Sequence, residues 1–197
     1  MTSPSDKPDL KDSLRVQMVA DRERLPPARR RQLDRQICSH LLRYLEARDC
    51  IHVAAYVGFR GEPDLKPALE ALHHAGRRIY LPVVEKHEMR FLRWQPGAAM
   101  KNNRFGIPEP EAGPECPAER LDLVLMPLVA FSPTGTRLGM GAGFYDRRFA
   151  FRLEAPETGP LLVGTAYSLQ EVDSLPAQRW DVPLDGVITD RGAREFG

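Results

Sequence analysis

The sequence predicts an α/β fold, a three-layer sandwich around a mainly parallel sheet with a helical hairpin at its N-terminal side. Three observations lead there. A strand-like run, a helix-like run and a second strand-like run follow one another between residues 51 and 84, the spacing of a βαβ unit. Leu121 to Phe131 is nearly continuously apolar, as expected of a strand covered on both faces. The residues before 51 show helical rather than alternating periodicity.

Each element has a local reason. Leu10, Leu14 and Met18 recur at i, i+4 and i+8, predicting a helix from Leu10 to Leu25 with one apolar stripe. Pro26 and Pro27 interrupt it, and Leu33, Ile37, Leu41 and Leu45 mark a second helix over 28–48. Ile51 to Val57 reads as a strand ended by Gly58, and Pro63 to Ala75 as a helix stopped by Gly76. Arg78 to Val84 and Glu88 to Trp94 are two further strands. Gln95 to Arg120, rich in Pro, Gly and Glu, predicts a long loop of the functional or mobile kind. After the apolar strand at 121–131 come a helix over Tyr145 to Leu153 and strands at Leu161 to Ala166 and Gly186 to Thr189. There is no internal repeat, so the 197 residues read as a single domain.

Composition narrows the function. The chain has 28 Lys and Arg against 27 Asp and Glu, a formal charge of +1. That balance argues against a nucleic-acid partner, although a local phosphate site stays open. Cys38, Cys50 and Cys116 form no C-x-x-C pair, against a disulfide framework or structural zinc, and fit a cytoplasmic setting. The stretch from Met1 to Leu10 is polar, unlike a secretory signal, and no apolar run approaches the roughly 20 residues of a membrane span. Oligomeric state is not encoded in any motif; a monomer is the working expectation.

The densest chemical signal runs from Thr134 to Asp146, with glycines at 139, 141 and 143. Alternate glycines let the backbone bend and expose successive N–H groups, and a following helix start adds more. Such a segment reads either as a plain turn or as a cradle for phosphate oxygens, to which Arg137 adds a planar cationic fork. Asp146 is placed to hold Mg²⁺ beside a phosphate. No Walker A loop, dinucleotide fingerprint, nucleophile elbow or zincin motif occurs. Lys11 and Arg15, four apart, leave one helix face together, as a polyphosphate clamp or as a solvated face. Glu62 follows the first strand with Asp64, where open α/β sheets bind ligands, and reads as an acceptor for an amino-substituted heterocycle or as a solvated charge. Asp181 and Asp185 read as turn residues or as a metal or phosphate site. The Arg29–Arg31 run reads as a solvated helix face, with nucleic acid as the distant alternative; His73 and His74 face solvent on a helix, and the other histidines lack ligand spacing.

The segment Met126 to Phe131, then Gly135, then Arg137 to Arg147, closely resembles the signature of the 5-formyltetrahydrofolate cyclo-ligase family, also called 5,10-methenyltetrahydrofolate synthetases. Lys11 to Arg15, Glu62 with Asp64, Leu81-Pro82, Met89 to Phe91, Gly106 to Pro110 and Trp180 to Asp185 follow in that family's order, so the likeness covers nearly the whole chain. The resemblance implies a fold like ribose-5-phosphate isomerase and the CoA transferases. It implies ATP- and Mg²⁺-dependent closure of 5-formyltetrahydrofolate to 5,10-methenyltetrahydrofolate, with release of ADP and phosphate. It assigns Lys11, Arg15, Arg137 and the backbone of Leu138, Gly139, Met140, Gly141, Ala142, Gly143, Phe144 and Tyr145 to ATP. Arg137 and Asp146 stand at the reacting phosphate, Asp146 and Asp185 at Mg²⁺, and Val57 and Glu62 at the folate, Glu62 toward the pterin. Ala142 stands where many relatives carry Lys, and Trp180 where many carry His. The competing readings are a non-catalytic folate or nucleotide binder and a sugar-phosphate isomerase on the same scaffold.

Overall fold

The computed structural model describes residues 10–196; the polar start at 1–9, read above as unlike a signal segment, lies outside them. Helices α1 (Leu10–Glu23) and α2 (Pro27–Glu46) lead into β1 (His52–Ala54), α3 (Lys66–His74), β2 (Arg78–Glu85) and β3 (Glu88–Trp94). Three short strands follow, β4 (Met100–Asn102), β5 (Pro108–Pro110) and β6 (Glu115–Cys116). Then come β7 (Leu123–Pro127), β8 (Ala130–Phe131), β9 (Arg137–Leu138), α4 (Phe144–Arg148), α5 (Phe151–Glu154), β10 (Leu161–Thr165), β11 (Gly186–Thr189) and β12 (Gly192–Glu195).

Eight strands form the main sheet in the order β12-β11-β10-β7-β1-β2-β3-β6. The five inner strands from β11 to β2 run parallel, β12 and β3 run against them, and β6 pairs antiparallel with β3. The period of two along β7 splits the core. Leu123 and Leu125 face α2 and α3, where they meet Ile37, Leu41, Leu45 and Leu69. Val124 and Met126 face the other side, packed with Phe91, Phe149 and Leu162. Helices α1 and α2 follow each other as expected but serve different cores. Helix α1 lays Met18 and Val19 on Val129, Ala130 and Leu138, whereas α2 covers the main sheet. Arg30 of α2 donates to the carbonyls of Arg22 and Glu23, at 2.8 and 3.0 Å, and so caps the end of α1.

Several expectations are corrected. The apolar stripe assigned to α1 holds at Leu14 and Met18, which pack on the small core under the helix, but not at Leu10, which is 67% exposed; Val19 and Arg22 are buried beside it. The segment 95–120 is not a structureless loop but holds the β4–β5 ribbon, β6 and a 3-10 turn at Ala118–Arg120. Prolines at 108 and 110 hide β5 from sequence inspection, yet a two-stranded ribbon tolerates them at its edge. The apolar strand at 121–131 stops at Pro127; Leu128 and Val129 turn away and β8 pairs with β9 instead. The helix placed at 145–153 is two short helices with buried Phe149 at the joint. Strands β9 and β12 were not expected from the sequence.

Candidate active site

A cavity of about 1000 Å³ opens at the carboxyl ends of the parallel strands, where α/β sheets place ligands. Its walls come from the turn after β1 (Tyr56, Val57, Phe59, Glu62), from Pro82 and Val84 of β2, and from Met89. Asn103, Phe105, Ile107 and Pro108 of the β4–β5 ribbon close one side. The whole stretch from Arg137 to Arg147 closes the other, with Lys11 and Arg15 of α1 and with Gln178, Trp180 and Asp181 at the rim.

The hairpin between β8 and β9 makes the glycine-rich wall. Val129 N–H donates to Leu138 C=O at 2.7 Å and Ser132 N–H to Thr136 C=O at 2.9 Å, so the chain reverses and sends Arg137 back toward the sheet ends. Gly141 has φ +98 and Gly143, the residue just before α4, has φ +65, backbone states a side chain opposes. A β-carbon on Gly141 would lie 3.6 Å from the Arg15 guanidinium carbon. Arg15 Nε donates to Gly139 C=O at 2.9 Å, which ties α1 to the loop. No side chain caps α4 and its first closed bond runs from Arg147 N–H to Gly143 C=O. That leaves the N–H groups of Phe144, Tyr145 and Asp146 without intrahelical acceptors. Helix α4 is only five residues long, so the cradle rests on the loop and its cations more than on a helix dipole.

Arg137 is buried and pairs with Asp146, Nη2 to Oδ1 at 2.6 Å. Asp146 Oδ1 also accepts Val182 N–H at 3.2 Å, which pins the C-terminal segment against the loop. Arg137 Nε is buried and has no hydrogen-bond partner among the described residues. The same holds for Nε of Arg30, Arg93, Arg148 and Arg152, so it is the guanidinium charge of Arg137 on the cavity wall that suits an anionic ligand. Lys11 Nζ meets Asp181 Oδ2 at 3.2 Å, so the α1 cation is held at the cavity rim by the segment that carries Trp180. Arg147 donates to Ala142 C=O at 2.9 Å and brings a further guanidinium to the wall beside Ala142.

On the opposite wall Glu62 accepts Phe59 N–H at 3.0 Å and lies 3.5 Å from Arg22. Burial pushes its carboxyl above the ordinary glutamate range, against the pull of Arg22. Burial also raises the Tyr56 and Tyr145 hydroxyls, with Glu62 adding to both, so each stays a protonated donor. Apolar Val57, Val84, Met89 and Ile107 flank this end, the mixture of apolar wall and few polar groups expected for a planar heterocycle.

Of the two carboxylates expected at Mg²⁺, the structure brings only Asp146 to the cavity. Asp185 does not line it: Arg152 takes Oδ1 at 2.7 Å and Oδ2 at 3.1 Å, and Leu162 N–H takes Oδ2 at 2.7 Å. Its carboxylate fastens α5 to β10, a packing role. Among the described residues no cluster of three or more His, Cys, Asp or Glu stands ready for a metal. Mg²⁺ that travels with a nucleotide needs only one or two carboxylates besides phosphates and water, which Asp146 fits.

The sequence reading missed Tyr56, Met89 and Phe105, which line the cavity, and Arg22, whose guanidinium lies behind it. Lys11, Arg15 and Arg22 share one face of α1 at i, i+4 and i+11, a pattern that was readable but has an arginine where a core residue is expected.

A family model for the 5-formyltetrahydrofolate cyclo-ligase family matches residues 7–190. The 5-formyltetrahydrofolate cyclo-ligase of Haemophilus influenzae is 36% identical over 183 residues, covering 90% of this chain and 96% of the relative. That of Escherichia coli K12 is 37% identical over 178 residues, covering 87% and 96%. The NMR structure of Aquifex aeolicus 5,10-methenyltetrahydrofolate synthetase matches with a TM-score of 0.81 at 34% identity, over 94% of this chain and 92% of that one. The Mycoplasma pneumoniae 5,10-methenyltetrahydrofolate synthetase matches with a TM-score of 0.73 at 29% identity, over 91% and 98%. With the family model matched over residues 7–190 and these relatives covered over nearly their whole length, the chain belongs to the 5-formyltetrahydrofolate cyclo-ligase family.

Proposed function

We propose that this chain closes 5-formyltetrahydrofolate to 5,10-methenyltetrahydrofolate at the expense of ATP, giving ADP and phosphate. Family membership over nearly the whole chain supports the reaction class. The observation that carries the site assignment is Arg137, buried in the cavity wall, 2.6 Å from Asp146 and flanked by a loop whose N–H groups at Phe144, Tyr145 and Asp146 lack intrahelical acceptors. The volume, at the upper end of the ~300–1,000 Å³ common for ligand sites, suits two ligands side by side.

The chemistry explains the residues. A formamide oxygen is a poor leaving group. Attack of that oxygen on the γ-phosphorus of ATP breaks the bond to ADP and turns the oxygen into a phosphate ester. N10 of the same folate then bonds to the activated carbon, phosphate departs, and the N10 proton is lost. Arg137, Lys11, Arg15 and the N–H groups from Gly139 to Tyr145 hold the triphosphate and neutralise its charge. Asp146 would hold Mg²⁺, which supplies further neutralisation of phosphate charge when bound. Glu62 and Val57 fix the pterin so that the formyl oxygen meets the γ-phosphate in line. Placement of this kind can contribute on the order of 7–11 kcal/mol, and phosphoryl transfer asks for little covalent help. No nucleophilic side chain is therefore needed.

A cytoplasmic monomer is the setting we propose. Cys38, Cys50 and Cys116 are free and buried, and no helix among the described residues is long and apolar enough to cross a membrane.

The test is a turnover assay that follows the absorbance of methenyltetrahydrofolate. Product is expected with ATP and Mg²⁺ together and absent when ATP is omitted. Product formed without ATP would point to another reaction on this scaffold, and binding without product would point to a regulator.

A further inference from the structure

Arg22 heads the largest completely buried side chains among the described residues, with 0% exposure. A guanidinium with no access to water destabilises the fold unless its donors are met. Here they are met by one turn and one strand end. Arg22 Nε donates to Arg60 C=O at 2.8 Å, and Nη1 donates to Leu128 C=O, where the chain leaves β7, at 3.2 Å. Nη2 lies 3.5 Å from both Phe59 C=O and Glu62 Oε1. Three of the four acceptors thus belong to residues 59–62, the turn that carries Glu62. That turn is not a relaxed one: Arg60 and Gly61 have φ of +49 and +75 in succession, a state that persists only when surrounding contacts enforce it. Gly61 packs on the arginine stem, since a β-carbon there would lie 3.3 Å from Arg22 Cγ.

We infer that Arg22 is a positioning residue for the folate end of the site: it clamps the 59–62 turn and presents the Glu62 carboxylate in one orientation. Arg22 does not line the cavity and touches no reactant. The inference rests on the reading that Glu62 binds folate. It also gives α1 a double duty. The helix carries Lys11 and Arg15 toward the nucleotide at its start and the Glu62 clamp in its last turn, all on one face. The charged and titratable groups around Glu62 are Arg22 from α1, Tyr56 after β1 and Tyr145 from α4; Glu23 and Arg60 act on Arg22. Arg22 is the one cation acting on Glu62 in that set; it meets Oε1 while Phe59 N–H, on the turn that Arg22 clamps, donates to Oε2 at 3.0 Å.

The experiment is a double-mutant cycle read by calorimetry, with 5-formyltetrahydrofolate and ATP titrated separately into wild type, R22K, E62Q and the double variant. Lysine keeps the charge and loses the planar fork. R22K is expected to weaken 5-formyltetrahydrofolate binding by about tenfold, the scale of a charge-assisted hydrogen bond, and to leave ATP affinity within about twofold. In the E62Q background the same change is expected to cost little further, because its effect passes through Glu62. Arg22→Gln, neutral and shorter, is expected to fall harder on the folate and again spare ATP. Equal losses for both ligands, or additive losses in the cycle, would overturn the inference alone. A wild type that binds no 5-formyltetrahydrofolate would overturn the underlying reading with it. Unfolding of both Arg22 variants in parallel melting curves would mark a general structural role and count against the inference.

Discussion

Arg137 joins three demands in one side chain: it is buried, it lines the cavity, and it pairs with Asp146. Arg137→Ala is expected to weaken ATP binding by more than about tenfold, or roughly 1.4 kcal/mol, measured by calorimetry; Lys at 137 should restore little, because a point charge cannot reproduce the fork. Glu62 makes a second prediction at this scale. Burial holds its carboxyl proton at a higher pH than an exposed glutamate would. As pH falls, the carboxylate takes up that proton and loses acceptor capacity for the pterin N–H groups. Folate affinity should therefore decline on acidification above the ordinary glutamate range of about 4.3, and E62Q should flatten that part of the profile. Both residues stood out in the sequence, Glu62 in the loop after the first strand and Arg137 at the head of the glycine-rich segment, although Arg137 itself lies in the short strand β9. Arg22 did not, because a fully buried arginine looks like any solvated helix charge until the fold shows its four acceptors. Asp185 is the reverse case: its sequence neighbourhood resembles the family's C-terminal Asp motif, whereas in space Arg152 and Leu162 hold it and it does not line the cavity.

Local elements were legible where a periodic pattern and a stop signal agreed. Helices α2 and α3 and strands β2, β3, β10 and β11 lie within a few residues of their expected spans. The sequence misled where tertiary partners decide the pairing. Strand β5 contains two prolines and forms only because β4 runs beside it. The continuous apolar run at 121–131 could not announce that Pro127 ends one sheet and Ala130 begins another. The glycine-rich element permits its own test. Gly141 sits at φ +98, so Gly141→Ala should lower stability by about 1–2 kcal/mol in a melting or denaturant experiment, the usual penalty for a left-handed non-glycine residue. ATP affinity should drop along with it, because Arg15 and the loop N–H groups are set by the same backbone.

The whole molecule couples its core to the site through aromatic packing. Phe149 is fully buried and meets Phe91, Tyr145 and Phe151 with ring centroids 6.0 to 6.4 Å apart. Phe149→Ala should destabilise the fold by about 3–5 kcal/mol, read by chemical denaturation. It should also weaken nucleotide binding, since Tyr145 would lose the ring it leans on. The architecture was foreseeable at this scale because a parallel sheet needs two covered faces, and the chain spells out both. The thinness of the second face, two short helices in place of one long one, depended on how Phe149 packs. What binds the pieces into an enzyme is the claim that the loop from Arg137 to Asp146 holds the triphosphate while the opposite wall holds the folate. A crystal structure with a non-hydrolysable ATP analogue and Mg²⁺ decides it. The phosphates should lie against the N–H groups from Gly139 to Tyr145 and beside the Arg137 guanidinium; phosphates bound elsewhere on the molecule, with that loop bare, would contradict the assignment.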